Sequence, residues 1–551
     1  MNSKTIDHIN EAIHEGAPHI GSESEGITID RDTLEVVHQI QDLQPTQAVK
    51  EQLRRTHPNN TDIPDSITPD IPETTVETNP EPLRSPVSVA MAQRLMSILI
   101  DHALQDLSNG QDLQLLNGVA LRPPNTTVLD ASTNVPFWKQ VYYQYQIETH
   151  EDKVAAAAGD HLNLSAPWMD QNPQEVSKKM IEMTARMRLI ASALSIGLTA
   201  ASPLHYYANG GEKNAKYGTS ITPWESARLG SVWPNRTIMD VADLYRDPIS
   251  FRKTMDKFRR KNVLKSGRDI WLPVRAQPQL EKPHQELPDL CEKIGLDLTI
   301  EDHRNQVHDY LMASFQHGPN NPTDNPFSTD PLWKKIEEWR QQTLKDIKKA
   351  PRNRVELRTF ETPPAFDDQT PYEYIKAVYS FFELLFIYLS QNPEFVQNLE
   401  YDSINLQAAK SNETAVLLGG MDTPIQWIPR MTTTTPRDLL QVLLARIQDL
   451  AQGLGRTSDL EPLNRIIQGG LKTPAERIRQ EVGRWYDINI NQRHNPRLLP
   501  DDSYPKHLLT RTREAMTTEL LQIDADLQKI PLKDRPYIEN LLCMVKQSLT
   551  S

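Results

Sequence analysis

The sequence predicts an α+β protein: an antiparallel sheet whose concave polar face forms a funnel, helices packed on its other side, and a mostly helical C-terminal region. Two observations carry this expectation. Four segments that read as strands each set polar groups at i, i+2 spacing with apolar residues between them, so each polar group of residues shares one strand face. Apolar residues recur at helical spacing over 88–108, 174–201 and 371–389, which provides a layer to cover the other face.

Along the chain, residues 1–20 read as a short helix. GSESEGITID (21–30) reads as a strand, and 31–56 as a helix with Leu34, Val37, Ile40 and Leu43 at helical spacing. Residues 57–88, rich in Pro, Asn, Asp and Thr, read as a linker by composition, although TTVETN (74–79) has strand propensity. Residues 138–150 are ambiguous. Residues 155–167 read as a small-residue turn and a short strand, and 203–236 as a long loop over a site. Residues 238–262 read as helical, 266–350 as loops alternating with helices, and 355–360 as a strand. Beyond about 400 the pattern is helical, broken by TTTTPRD and QRHNPRLLPDDSYP.

The chain has 551 residues, 38 % of them hydrophobic, which is enough for a large core and for two to four domains, or one large domain with additions. Sixty Lys and Arg stand against 73 Asp and Glu, a net charge of −13. Such a balance argues against a general nucleic-acid binder, which needs a basic surface for phosphates. Two cysteines, Cys291 and Cys543, exclude a disulfide scaffold and a Cys-based zinc cluster and fit a reducing compartment. MNSKTIDHINEAIHEG has no apolar leader core. The most apolar stretches, 189–201 and 374–389, fall short of the roughly 20 residues of a membrane span, and the second carries Glu383. The expectation is a cytoplasmic protein with no membrane partner.

Four constellations could carry chemistry. Glu23-Ser24-Glu25 sets two carboxylates on one strand face, where they either hold a divalent cation such as Mg²⁺ or form a solvated surface. Asp70, Glu73 and Glu77 lie in the Pro-rich stretch and read either as an acidic linker or as strand residues. Gly159-Asp160-His161-Leu162-Asn163-Leu164-Ser165 alternates polar and apolar residues, so His161 and Asn163 share a face as ligands or as structural residues. Arg354-Val355-Glu356-Leu357-Arg358 places Glu356 beside Arg358 with Val355 and Leu357 behind, suited to one metal and one phosphate, or to a cross-strand ion pair. Trp224, Trp233, His205, Tyr206 and Tyr207 either line a pocket or anchor a core. No Walker A or dinucleotide fingerprint is present.

Taken in order, these segments resemble the glutamate–cysteine ligase family of carboxylate–amine ligases, related in fold to glutamine synthetase. Gly21 to Glu25 resembles that family's glycine-led E-x-E strand. Ile67-Thr68-Pro69-Asp70 followed by Glu77 matches the I-T-x-D segment of the bacterial enzymes and the second acid seven positions after it. Gly159 to Ser165 matches a G-x-H-x-N-x-S strand, Val355 to Arg358 matches V-E-x-R ahead of an apolar helix, and Ala201-Ser202-Pro203 is similar to an A-S-P stretch followed by an Arg-bearing loop, here Arg228. The resemblance runs over residues 20–400 as short islands and overturns the linker reading of 57–88. It implies a catalytic domain over 1–400 with a divergent insert at about 265–350, and a mostly helical region over 401–551.

The resemblance further implies an ATP- and Mg²⁺- or Mn²⁺-dependent ligase that phosphorylates the γ-carboxylate of glutamate and passes the acyl phosphate to an amine. Glu23, Glu25, Glu77, His161 and Glu356 would be metal ligands. His161, Asn163 and Arg358 would bind the nucleotide, while Arg358, Arg228 and Asp70 would serve catalysis. The acceptor would be cysteine or a related amine, because the segment after Pro203 departs from the family pattern. The other readings are a non-catalytic descendant that kept the fold as a binding or scaffold module, and a mostly helical interaction protein.

Overall fold

The computed structural model describes residues 3–70, 75–108, 110–117, 120–121, 137, 141, 156–157, 159–169, 172–209, 217–232, 241–242, 244–246, 250, 273–279, 287–317, 326–339, 352–392, 399–490 and 495–549. Its strands in chain order are β1 (Ile20–Asp30), β2 (Ile67–Asp70), β3 (Thr75–Thr78), β4 (Leu113–Asn117), β5 (Ala120–Leu121), β6 (Ala156–Ala157), β7 (Asp160–Leu164), β8 (Leu204–Asn209), β9 (Tyr217–Ile221), β10 (Val274–Gln279), β11 (Arg352–Phe360), β12 (Ile425–Trp427), β13 (Thr432–Thr434) and β14 (Arg497–Leu498). The main sheet runs β10-β11-β7-β1-β3-β2, with β4 also paired to β1, and its pairings are antiparallel. A second sheet runs β14-β9-β8-β5-β6.

Register decides which residues share a face. Glu23 lies opposite His161, Asn163 opposite Glu356, and Glu356 opposite Arg275. Their neighbours on the alternate face are apolar: Leu162, Leu164, Val355, Leu357 and Val274 are fully buried. That face packs on the helices Pro86–Leu107 and Pro371–Gln391 in one continuous hydrophobic cluster. Both helices begin with proline at the first turn and a polar cap. Ser85 accepts from the backbone of Ser88, and Thr370 forms a capping box with Glu373. Pro86–Leu107 is long and apolar enough to cross a membrane, and here it is buried inside the protein.

The helices beyond residue 400 enter the same core. Leu443 and Ile447 from Pro436–Gly453, Ile523 from Met516–Asp526 and Leu541 from Arg535–Ser548 all belong to the cluster. A buried two-pronged ion pair joins Arg94 to Glu519, with nitrogen–oxygen distances of 3.1 and 2.9 Å, and Glu519 also accepts from the backbone of Tyr372 at 2.7 Å. Buried Asp534 accepts from both the backbone N–H and the guanidinium of Arg84, at 2.9 and 3.1 Å. A second cluster, with Ile27, Ile29, Leu204, Tyr206, Ile478, Val482 and Leu508, closes the far end of the sheet's polar face.

Several elements differ from the sequence reading. Only Pro45–Thr56 of the stretch 31–56 is helical. The Asp30 carboxylate accepts from the backbone of Asp32 and Thr33, which turns the chain. Leu34, Gln41 and Asp42 then adopt left-handed backbone angles, with φ of 61°, 52° and 66°. Ile29–Val36 and Ile40–Leu43 bridges take up backbone groups that a helix would have used. Residues 57–88 hold β2 and β3, and within 203–236 the structure has β8, β9 and the helix Ala227–Val232 where a loop was expected. Their aromatic and β-branched residues pair as strands once a partner is present. The apolar stretch 174–201 divides at Ala191 into Pro173–Ile190 and Ser192–Thr199. Within 266–350 the strand β10 replaces an expected loop. Residues 138–150, apart from Val141, and most of 238–262 lie outside the described residues.

Candidate active site

The polar face of the main sheet gathers residues from four strands. His161 on β7 places Nδ1 3.0 Å from Glu23 Oε2 on β1 and 3.4 Å from Glu356 Oε1 on β11. One ligand atom from each of the three lies within 4.8 Å of the others. Asn163 donates to Glu23 Oε1 at 3.3 Å. Glu356 is fully buried and takes both prongs of Arg275 on β10, the Nη2–Oε1 bond being 3.0 Å, while Arg358 Nε stands 3.6 Å from the same carboxylate. Arg354 Nη2 binds Glu23 Oε1 at 3.2 Å.

The charges set the protonation states. Burial would raise the Glu23 carboxyl, but the His161 hydrogen bond and the charges of His161, Arg354 and Arg275 outweigh it and hold the group at about 2. Burial likewise opposes ionisation of Glu356, and Arg275, Arg358 and His161 reverse it, so its carboxyl also titrates below the ordinary value. Arg358, buried and flanked by Arg275, is lowered to about 10 against the pull of Glu356 and Glu25. Both acids are therefore carboxylates at neutral pH, and Arg358 keeps its proton.

The site rests on a brace at the end of β11. Register slips between Leu357 and Phe360. The Arg228 guanidinium fills this irregularity, donating to the carbonyls of Arg358 and Phe360 at 3.0 Å each and to Glu361 Oε1 at 3.1 Å. Glu361 also takes Ser226 Oγ and the backbone N–H of Ala201 at 2.6 Å. Arg228 lies flat against Gly159: a Cβ built there would stand 2.4 Å from Arg228 Cζ. The glycine that opens G-x-H-x-N-x-S is thus required by a close approach.

The residues marked in the sequence divide into groups. Glu23, His161, Asn163, Glu356 and Arg358 come together. Glu25 and Glu77 are register partners across β1 and β3, outside the three-ligand group. Glu25 accepts from the backbone of Gly159 at 2.9 Å, and Glu77 from Thr68 at 3.0 Å. Asp70 sits opposite Thr75 on the edge strand β2, at a register position sharing the face of Glu77; its side chain lies outside the described residues. Arg228 sits in the brace, 3 % exposed. Trp224 packs partly buried on the main core and Tyr206 is buried in the second cluster; Trp233 and the Tyr207 side chain lie outside the description. Sequence reasoning missed Arg275 and gave Arg354 no role. The alternation in Val274-Arg275-Ala276-Gln277 was the available signal, interrupted by Pro278.

The donor set suits a hard divalent cation. Two carboxylates and an imidazole fit Mn²⁺ and Mg²⁺, and the Asn163 carbonyl oxygen is buried beside Glu23 without a hydrogen-bond partner. Arg354 and Arg358 each hold a buried Nε with no hydrogen-bond partner, donors suited to an anion such as phosphate.

Comparison of the sequence with protein-family profiles and with curated proteins gives no match. Comparison of the structure finds a glutamate–cysteine ligase from Francisella tularensis, crystallised in complex with AMP, at 13 % identity and a TM-score of 0.55, covering 96 % of this chain and 93 % of that one. It also finds a bifunctional glutathione synthetase from Pasteurella multocida at 12 % identity and a TM-score of 0.52, covering 93 % of this chain and 54 % of that one. Strand order, the polar face and these matches over nearly the whole chain give the protein a glutamate–cysteine ligase-like α+β fold.

Proposed function

We propose that the protein is an ATP-dependent carboxylate–amine ligase that makes a γ-glutamyl amide through an acyl phosphate, with cysteine or a related amine as acceptor. The observation that carries this reading is the juxtaposition of Glu23, His161 and Glu356 with three arginines on one sheet face. The fold shared with a ligase crystallised with AMP supports an adenine nucleotide as a substrate.

In the proposed reaction a γ-carboxylate oxygen of glutamate attacks the terminal phosphorus of ATP, and the bond to ADP breaks. The amine nitrogen then attacks the acyl carbon, phosphate leaves with the carbon–oxygen bond electrons, and the nitrogen loses a proton. Glu23, Glu356 and His161 would hold Mg²⁺ or Mn²⁺, with Glu25, Glu77 and Asp70 along the same face as further acids. When bound, the metal neutralises phosphate charge. Asn163 orients Glu23, and Arg358 faces the charge that builds on the transferred phosphoryl group. Arg228 positions Arg358 by holding its carbonyl, within the register slip, and that of Phe360, where pairing resumes.

The test is ADP release with Mg-ATP, glutamate and a panel of amines that includes cysteine. Release that needs glutamate and one amine supports the ligase and names its acceptor. Glu356→Gln is expected to lower turnover at least 100-fold while the thermal transition persists, and near-parental turnover would remove Glu356 from the chemistry. No ADP release and no nucleotide binding would favour the scaffold reading.

A further inference from the structure

The carboxylates of the site are already provided with internal cations, and the two principal ones are held differently. Arg275 grips the fully buried Glu356 with two nitrogens. Arg354 makes one bond to Glu23, 3.2 Å long, and its side chain is 31 % exposed. Its Nε is buried without a hydrogen-bond partner. The oxygen it binds, Glu23 Oε1, also accepts from Asn163 at 3.3 Å, and the other oxygen of Glu23 faces His161. A divalent cation held by Glu23, His161 and Glu356 would meet the positive charge of Arg354 at short range.

We propose that Arg354 is an exchangeable counterion: it satisfies Glu23 while the site lacks metal, and it turns to the phosphates of a nucleotide when a divalent cation takes its place. This rests on the reading that the face binds a metal and a phosphate-bearing substrate. The guanidinium is suited to both roles, because carboxylate and phosphate oxygens accept the same fork of N–H donors. While Arg354 opposes the cation, metal alone binds weakly. Once a phosphate group accepts Arg354, the repulsion is offset, and metal and nucleotide strengthen each other reciprocally.

The experiment measures Mn²⁺ binding to the full chain by the loss of the free-ion electron paramagnetic resonance signal, so that no turnover is needed. Arg354→Gln is expected to tighten Mn²⁺ alone by on the order of 10-fold, as removing a nearby like charge should. In the presence of Mn²⁺ the same variant is expected to weaken a β,γ-methylene ATP analogue by a similar factor. Arg354→Lys keeps the charge and should bind bare Mn²⁺ like the parent. Unfolding curves identify any variant that fails to fold, and Arg354→Lys then serves with Arg354→Met in its place. Unchanged or weaker Mn²⁺ binding in folded Arg354→Gln would overturn the proposal, as would absence of Mn²⁺ binding in every variant. Failure of the ligase reading shows separately, as opposite shifts in the two affinities without ADP release with any amine.

Discussion

Gly159→Ala tests the brace beneath the site. The added methyl would stand 2.4 Å from Arg228 Cζ and Nη1 and 2.8 Å from Nη2. Carbon contacts settle at about 3.5 Å, so the guanidinium must retreat by about 1 Å. The end of an arginine side chain usually yields easily, but here it is fixed by the carbonyls of Arg358 and Phe360 and by Glu361. Retreat lengthens those 3.0 and 3.1 Å bonds beyond useful range while leaving Glu361 buried. Overpacking alone costs about 1–3 kcal/mol, and breaking a buried ion pair costs about 3–5 kcal/mol. The methyl either compresses the arginine or displaces it, so the two costs are alternatives rather than a sum; the expected loss is about 3 kcal/mol, where the ranges meet, read from urea unfolding followed by tryptophan fluorescence. The decisive comparison is the same substitution in Arg228→Ala, where the obstructing group is gone and the added methyl should cost under about 1 kcal/mol. Equal costs in the two backgrounds would refute the close-approach argument.

Two other expectations follow from buried charges. Glu23 has its carboxyl lowered from 4.5 to about 2, so its contribution is fully present above pH about 4.5 and is lost as pH falls through about 2. The size of the shift caps it at roughly 3 kcal/mol. The stability lead of the parent over Glu23→Gln should be flat near neutral pH and vanish toward pH 2, and a lead that grows on acidification would contradict the sign. Glu519→Ala strands the buried Arg94 guanidinium and should cost about 3–5 kcal/mol, whereas replacing Arg94 and Glu519 together by methionine should cost clearly less. A double variant as unstable as the sum of the single ones would disprove the pairing argument.

The site was legible where its signal is local. Glu23, His161, Asn163, Glu356 and Arg358 stand at i, i+2 positions with apolar residues between them, and a strand converts that spacing directly into a shared face. Register between strands is not written locally, so the meeting of Glu356 with Arg275, 81 positions away, had no signature. Neither did the brace, because Arg228 is an ordinary charged residue until a register slip offers it two carbonyls, and Glu361 until the fold brings Arg228, Ser226 and the Ala201 N–H to it. The helices were legible from periodicity and their partners were not. Leu34 shows the opposite error: buried apolar residues at helical spacing arose there from a turn, since a carboxylate at Asp30 captured the backbone first.

The tie between Arg94 and Glu519 has a consequence during synthesis. Its two members are 425 residues apart, so at about 5–20 residues per second a ribosome needs roughly 20–85 s to deliver the second after the first. The strands of the main sheet are all made by residue 360, yet the layer behind them is incomplete until the last helices emerge. During that interval the apolar flank of Pro86–Leu107 has no permanent cover. A chain halted before residue 516 would keep that flank exposed, and is expected to aggregate more readily than the finished protein.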